Sequence, residues 1–168
     1  MIWIAMVFLM LSVYINENFT LSLKKELNAM FSRILLASDG SAHAVRATKN
    51  AAYLAEGRKE SIVTVLYSVD GSTSKSDVLK EVSKDILVQK RRERLGDTES
   101  ILKERNVSYE IKIIKGDPGP AIVKYANENQ FDIVVIGSRG LNGLQEMVLG
   151  SVSHKVAKRA HCPVLIVK

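Results

Sequence analysis

From residue 33 onward the chain alternates between short β-branched apolar runs and longer stretches with helical spacing. "RILLAS" (33–38) is an apolar run closed by Asp39-Gly40-Ser41, which predicts a buried strand ending in a turn. From Ala42 to Glu56 the apolar positions Ala44, Val45, Ala47, Ala51, Ala52, Leu54 and Ala55 predict a helix, stopped at Gly57. "SIVTVLYSV" (61–69) reads as a second strand and "DGSTSKSD" as the loop after it. The highly charged stretch Lys75–Arg105 carries a stripe of Leu79, Val82, Ile86, Leu95, Ile101 and Leu102, the mark of a surface helix with an interruption at Gly96. "VSYEIKIIK" (107–115) alternates as a third strand, "GDPGP" breaks the chain, and Ala121–Asn129 predicts a helix. "DIVVIG" (132–137) is apolar on both faces and is expected to be a fully buried fourth strand. Gly150–Ala160 predicts a last helix and "PVLIVK" a last strand.

Strand and helix in strict alternation call for an α/β domain, a mainly parallel sheet with helices on both faces. Right-handed crossovers leave only a few doubly wound orders. In such sheets a ligand crevice lies beyond the carboxyl ends of the strands, where the winding changes direction. The loops that bear on function are then those after "RILLAS" and "DIVVIG", the first with Asp39 and the second opening a glycine-rich stretch.

That stretch, "IGSRGLNGLQEMVLGSVSH" (136–154), holds four of the chain's ten glycines, Gly137, Gly140, Gly143 and Gly150. Glycines between a strand and a helix let several main-chain N–H groups face one anion, helped by the helix dipole. The Ser151 hydroxyl, at the start of the last helix, suits either a helix cap or a phosphate oxygen. Neither a Walker A loop nor the G-x-G-x-x-G dinucleotide fingerprint is present. The spacing Gly137-x-x-Gly140, nine residues, then Gly150-Ser151 closely resembles the nucleotide motif of the universal stress protein family, in its ATP-binding branch. "RILLASDGS" and "HCPVLIVK" extend the resemblance over about Phe31 to Lys168.

The resemblance implies five parallel strands in the order 3-2-1-4-5, a three-layer adenine nucleotide alpha hydrolase-like fold with strand one beside strand four. It implies ATP with Mg²⁺ as ligand, with Asp39 near the ribose and phosphates or their metal. It places the end of the second strand, near Ser68, at the adenine, although relatives often carry His-Val where this chain has Tyr67-Ser68. Gly137, Arg139, Gly140, Gly150, Ser151 and Val152 fall in the phosphate and ribose loop. A homodimer paired through the last strands, whose apolar edge needs covering, is implied as well.

Composition narrows the rest. The 46% hydrophobic and 25% charged residues fit a globular domain, and 168 residues suffice for one core. A net charge of +6 favours anionic partners without naming one. The single Cys162 excludes an internal disulfide and fits a reducing, cytoplasmic setting; it reads as a small buried apolar residue. His43, His154 and His161 lack metal-ligand spacing and are read as surface or capping residues, so no metal cage is expected. "QKRRER" (89–94) reads as a solvated helix face rather than a nucleic-acid surface. Gly116-Asp117-Pro118-Gly119 reads as a strand-to-helix turn.

Residues 1–15 are apolar and uncharged but shorter than the roughly 20 a membrane span needs, and they lack the basic start and cleavage site of a secretory signal. Met30 is read as the functional start, residues 1–30 as an extension outside the domain, and 31–168 as the domain. No membrane partner is expected of the domain, a weak membrane anchor through the apolar N-terminal segment being the alternative. The functional reading is an ATP-binding stress-response protein whose nucleotide state changes its dimer. Phosphoryl transfer needs a positioned nucleophile and charge stabilisation at the γ-phosphate, and no motif supplies both, so the chain reads as no enzyme or a weak one. Slow ATP hydrolysis, self-phosphorylation at Ser151, a nucleotide-transforming enzyme and a nucleotide-free interaction module are the alternatives.

Overall fold

Five β-branched runs form one all-parallel sheet in the order β3-β2-β1-β4-β5. The structure is a computed structural model that describes residues 31–69, 89, 92–139 and 149–168. The elements are β1 (Arg33–Ala37), α1 (Ala42–Ala55), β2 (Ile62–Val69), α2 (Gly96–Glu104), β3 (Ser108–Lys115), α3 (Pro118–Glu128), β4 (Ile133–Gly137), α4 (Ser151–Arg159) and β5 (Val164–Val167). The strand order and the expected α/β class both hold.

β1 lies at the centre, its Leu35 opposite Thr64 of β2 and Val134 of β4. All five residues of β4 are buried, as a continuous apolar run requires in a strand covered on both faces. One face of the sheet carries α3 and α4, packed on each other over Leu35, Ala37, Leu66, Val134 and Ile136. Ile122, Ala126 and Val156 fill the space from the helix side. α1 and α2 pack together against the sheet, α1 presenting the small residues Ala44, Ala47, Ala51, Ala52 and Ala55. Each fully buried Leu, Ile or Val contributes about 1.5–3 kcal/mol of burial free energy, so the sheet anchors the loops at its carboxyl end.

One boundary differs from expectation. α3 starts at Pro118, three residues before Ala121, because proline fits the first helical turn, where its missing N–H has no partner to lose. The interruption expected at Gly96 is present: residues 92–94 are helical, Leu95 is a turn, and α2 begins at Gly96. The stretch 75–88 lies outside the described residues, as do residues 1–30. Cys162 is half-buried beside the core, where burial pushes its thiol pKa up and keeps it protonated.

Candidate functional site

The direction of winding changes between β1 and β4, and their carboxyl ends emerge side by side, with Ala37 opposite Ile136. The next residues, Ser38 and Ser138, continue the pairing, each through its N–H: Ser38 donates to Leu66 O at 3.1 Å and Ser138 to Val167 O at 2.7 Å. This switch point, between the Asp39 turn and the exit of β4, is where an open parallel sheet leaves room for a ligand crevice.

On the β1 side, Asp39 Oδ1 accepts from Ser41 N at 3.0 Å, and Ser41 Oγ accepts from Ala44 N at 3.2 Å. Asp39 thus shapes the turn, while the N-cap of α1 is Ser41. Gly40 has φ +76°, and a side chain there would strike the Arg94 carbonyl oxygen and sit 2.7 Å from Arg94 Cγ. Arg94 in turn donates from Nη1 to the Tyr67 hydroxyl at 3.1 Å, closing this flank. Ser68, at the end of β2, donates its hydroxyl to Gly116 O at 3.0 Å, which ties the strand to the turn before α3. That turn has Gly116 at φ +135° and Asp117 as the N-cap of α3, the strand-to-helix role expected of it. Asp117 also pairs with Lys155 of α4 at 3.1 Å.

On the β4 side, Gly137 is buried, and the place a side chain would take there is filled by His43, whose carbonyl carbon and Cβ both lie 2.9 Å from that position. His43 was expected to be a surface or capping residue; it is half-buried and Ser41 is the cap, because α1 leans on β4 at this glycine. Its Nδ1 lies 2.9 Å from Arg46 Nη2 and 3.2 Å from Ser138 Oγ. A guanidinium only donates, so Nδ1 accepts and the ring proton sits on Nε2. Burial, then the positive charges of Arg46 and Arg139, lower the His43 pKa, against a smaller pull upward from Asp39. Lone histidines carry little signal in a sequence; its position in the first turn after the switch strand was the available one. His154 and His161 are exposed, as expected.

Arg139 is half-buried at the start of the loop after β4, and Gly140 lies outside the described residues. The chain returns at Leu149 and Gly150, and Gly150 N donates to Ser138 O at 2.8 Å. Ser153 Oγ lies 2.9 Å from Ser138 O and 3.0 Å from Gly150 O, which fastens the start of α4 to the exit of β4. Gly150 is the N-cap of α4, with no capping side chain; Ser151 is exposed, so the capping alternative for its hydroxyl does not hold. Val152 is half-buried and packs against the core.

The four described helices differ at their N-termini in a way that bears on anions. α1 is capped by Ser41, and α2 carries Asp97 and Glu99 in its first turn. α3 begins Pro-Gly-Pro, so two of its first three residues have no N–H. α4 has neither a capping side chain, an acid nor a proline, and its last turn carries Lys158 and Arg159. Its first N–H groups and the positive end of its dipole therefore stand beside the exit of β4 with no acidic residue in the helix's own first turn. Among the described residues no cluster of His, Cys, Asp or Glu could hold a metal by itself.

The model of the universal stress protein family matches residues 30–168. The chain belongs to that family. It is 35% identical over 148 residues to the universal stress protein YxiE of Bacillus subtilis, covering 83% of this chain and all of that one. Among solved universal stress protein folds it superimposes on MJ0577 of Methanocaldococcus jannaschii with a TM-score of 0.72 at 29% identity, over 83% of this chain and 96% of the other. A universal stress protein of Archaeoglobus fulgidus, solved in complex with dAMP, shares the fold with a TM-score of 0.61 at 24% identity, over 83% and 99% of the two chains. Among the described residues no helix is long and apolar enough to cross a membrane.

Proposed function

We propose that this universal stress protein binds ATP, accompanied by Mg²⁺, in the crevice between β1 and β4, and that it acts as a nucleotide-responsive homodimer in the cytoplasm, with 31–168 as the working domain. The observation that carries this reading is the bare N-terminus of α4 at Gly150-Ser151-Val152, the one described helix start with no anion, cap or proline of its own. A triphosphate supplies the missing negative charge there. Arg139 and Gly140 would flank it, Gly137 would bring α1 close, Asp39 would meet the ribose and phosphates or their metal, and the main chain near Ser68 would face adenine. The dAMP bound by the Archaeoglobus fulgidus protein is the kind of ligand this reading expects.

The role of the nucleotide in this reading is to bias the dimer, not to be consumed. Pairing of two β5 edges would cover the half-buried residues Val164–Val167. The test is native mass spectrometry of the purified protein followed by calorimetry with ATP and Mg²⁺. Retained or titratable ATP on a dimer supports the reading; a protein that takes up no adenine nucleotide refutes it. A second reading, slow γ-phosphoryl transfer to Ser151 with ADP leaving, is favoured by the exposed, non-capping position of that hydroxyl. A phosphopeptide containing Ser151 after incubation with ATP would support it.

A further inference from the structure

Behind the Asp39 turn, three buried hydroxyls from three elements form a chain: Ser38 after β1, Thr98 in α2 and Thr48 in α1. Thr98 and Thr48 are fully buried and Ser38 is 4% exposed. Ser38 Oγ lies 3.2 Å from Thr98 Oγ1, which lies 3.4 Å from Thr48 Oγ1. Thr48 Oγ1 donates to Ala44 O at 2.8 Å, and Gly40 N donates to Ser38 Oγ at 3.4 Å.

The direction of every bond follows. A hydroxyl has one proton, and Thr48 gives its proton to a carbonyl that only accepts. Thr98 must then donate to Thr48, and Ser38 must donate to Thr98. The chain runs from the Gly40 amide through Ser38, Thr98 and Thr48 to the Ala44 carbonyl, with each proton used once. At 3.2 and 3.4 Å the hydroxyl contacts are long, and each is weak alone. Burial makes the set count, because no water replaces a lost partner there.

Thr98 is the middle link, and it enters from a helix with no other part in the crevice. The residues just before it act on the same turn: the Arg94 main chain lies against Gly40, whose left-handed φ of +76° leaves no room for a side chain. We propose that Thr98 is a positioning residue for the Asp39 turn, its hydroxyl fixing Ser38 and the Gly40 amide so that Asp39 is held where the nucleotide would bind. The inference rests on the nucleotide reading above. Thr98 touches no nucleotide; it acts through Ser38.

The test compares Thr98→Val, which keeps the shape and removes the hydroxyl, with Thr98→Ser, which keeps the hydroxyl and removes the methyl. Ser38→Ala cuts the same chain one link nearer the loop and serves where the valine variant does not fold. In the full chain, Thr98→Val or Ser38→Ala is expected to weaken ATP binding about tenfold, the factor typical of losing one buried hydrogen-bond partner, and to speed Gly40 amide exchange by a similar factor. Thr98→Ser is expected to stay within about twofold on both readouts, although its lost methyl lowers stability. A purely structural role would make affinity follow stability, with the serine variant impaired as well. Unchanged Gly40 exchange in the hydroxyl-lacking variants, or a serine variant impaired in loop exchange like valine, overturns the proposal. If the unaltered protein binds no ATP, the crevice reading falls, and Gly40 exchange alone still decides whether Thr98 positions the turn.

Discussion

His43 occupies the space that a side chain at residue 137 would need: its carbonyl carbon and its Cβ both lie 2.9 Å from where a Cβ on Gly137 would stand. The glycine's first effect is to let α1 close on the exit of β4. Gly137→Ala is therefore expected to destabilise the fold by about 1–3 kcal/mol, the usual cost of overpacking, visible as a lower urea midpoint with an unchanged slope. Adding His43→Ala should not restore stability, because alanine keeps both the main chain and the Cβ that clash. A glycine needed solely for phosphate approach would instead leave the urea midpoint in place.

The strands were legible because β1, β2 and β4 are apolar runs whose buried faces leave no alternative register. "DIVVIG" reads as a two-sided core strand, and β4 is buried throughout. The helix start at Pro118 was less legible, since a Pro-Gly-Pro run signals a break and a first helical turn equally well. In the site, Asp39 and Gly150-Ser151 were legible because local chain chemistry, a turn and a helix start, placed them. His43, Ser138, Arg94 and Thr98 were not. Their roles come from contacts between distant stretches, 27 residues apart for Arg94 and Tyr67, 60 for Ser38 and Thr98 and 95 for His43 and Ser138, and no local spacing encodes such pairs.

His43 should leave a mark on the pH dependence of stability. Its folded pKa lies below the ordinary 6.5, chiefly through burial, with Arg46 on α1 and Arg139 after β4 opposing a second positive charge and Asp39 favouring it. The unfolded chain then binds the proton first as pH falls. Stability from this group is complete above about 6.5 and declines from there down to the folded pKa, below which the loss is constant. Urea midpoints measured across that window should fall with acidity in the unaltered protein and fall less in His43→Asn, whose amide oxygen can accept where Nδ1 does. Equal slopes in the two proteins would remove His43 as the source.

The β5 edge gives a prediction about assembly. Val134 N donates to Pro163 O and Ser138 N to Val167 O, so alternate residues of β5 face β4 and Ile166 turns its main-chain N–H and C=O to the other side. Ile166→Pro removes an outward N–H while sparing the bonds to β4, the arrangement in which an edge strand tolerates proline. If β5 edges pair between subunits, sedimentation should show dimerisation weakened at least about tenfold. Ile166→Val keeps the N–H and should remain dimeric. A proline variant as dimeric as the unaltered protein would place the subunit contact elsewhere.

The bare start of α4 gives a prediction in which stability and affinity move in opposite directions. Ser151→Asp puts a carboxylate in the first turn of a helix that has no acid or capping side chain there. With no ligand present, that charge meets the positive end of the dipole and should stabilise the fold by about 0.3–1 kcal/mol. With ATP, the same carboxylate stands where a phosphate is proposed to bind, and two like charges about 4 Å apart repel by several times RT even in a polarisable site. Calorimetry should then show affinity reduced at least about tenfold in a variant that melts no lower than its parent. Lost affinity through damage would come with a lower melting point, and an anion seated elsewhere would leave affinity intact, so the pairing of a firmer fold with weaker binding singles out the α4 N-terminus as the phosphate seat.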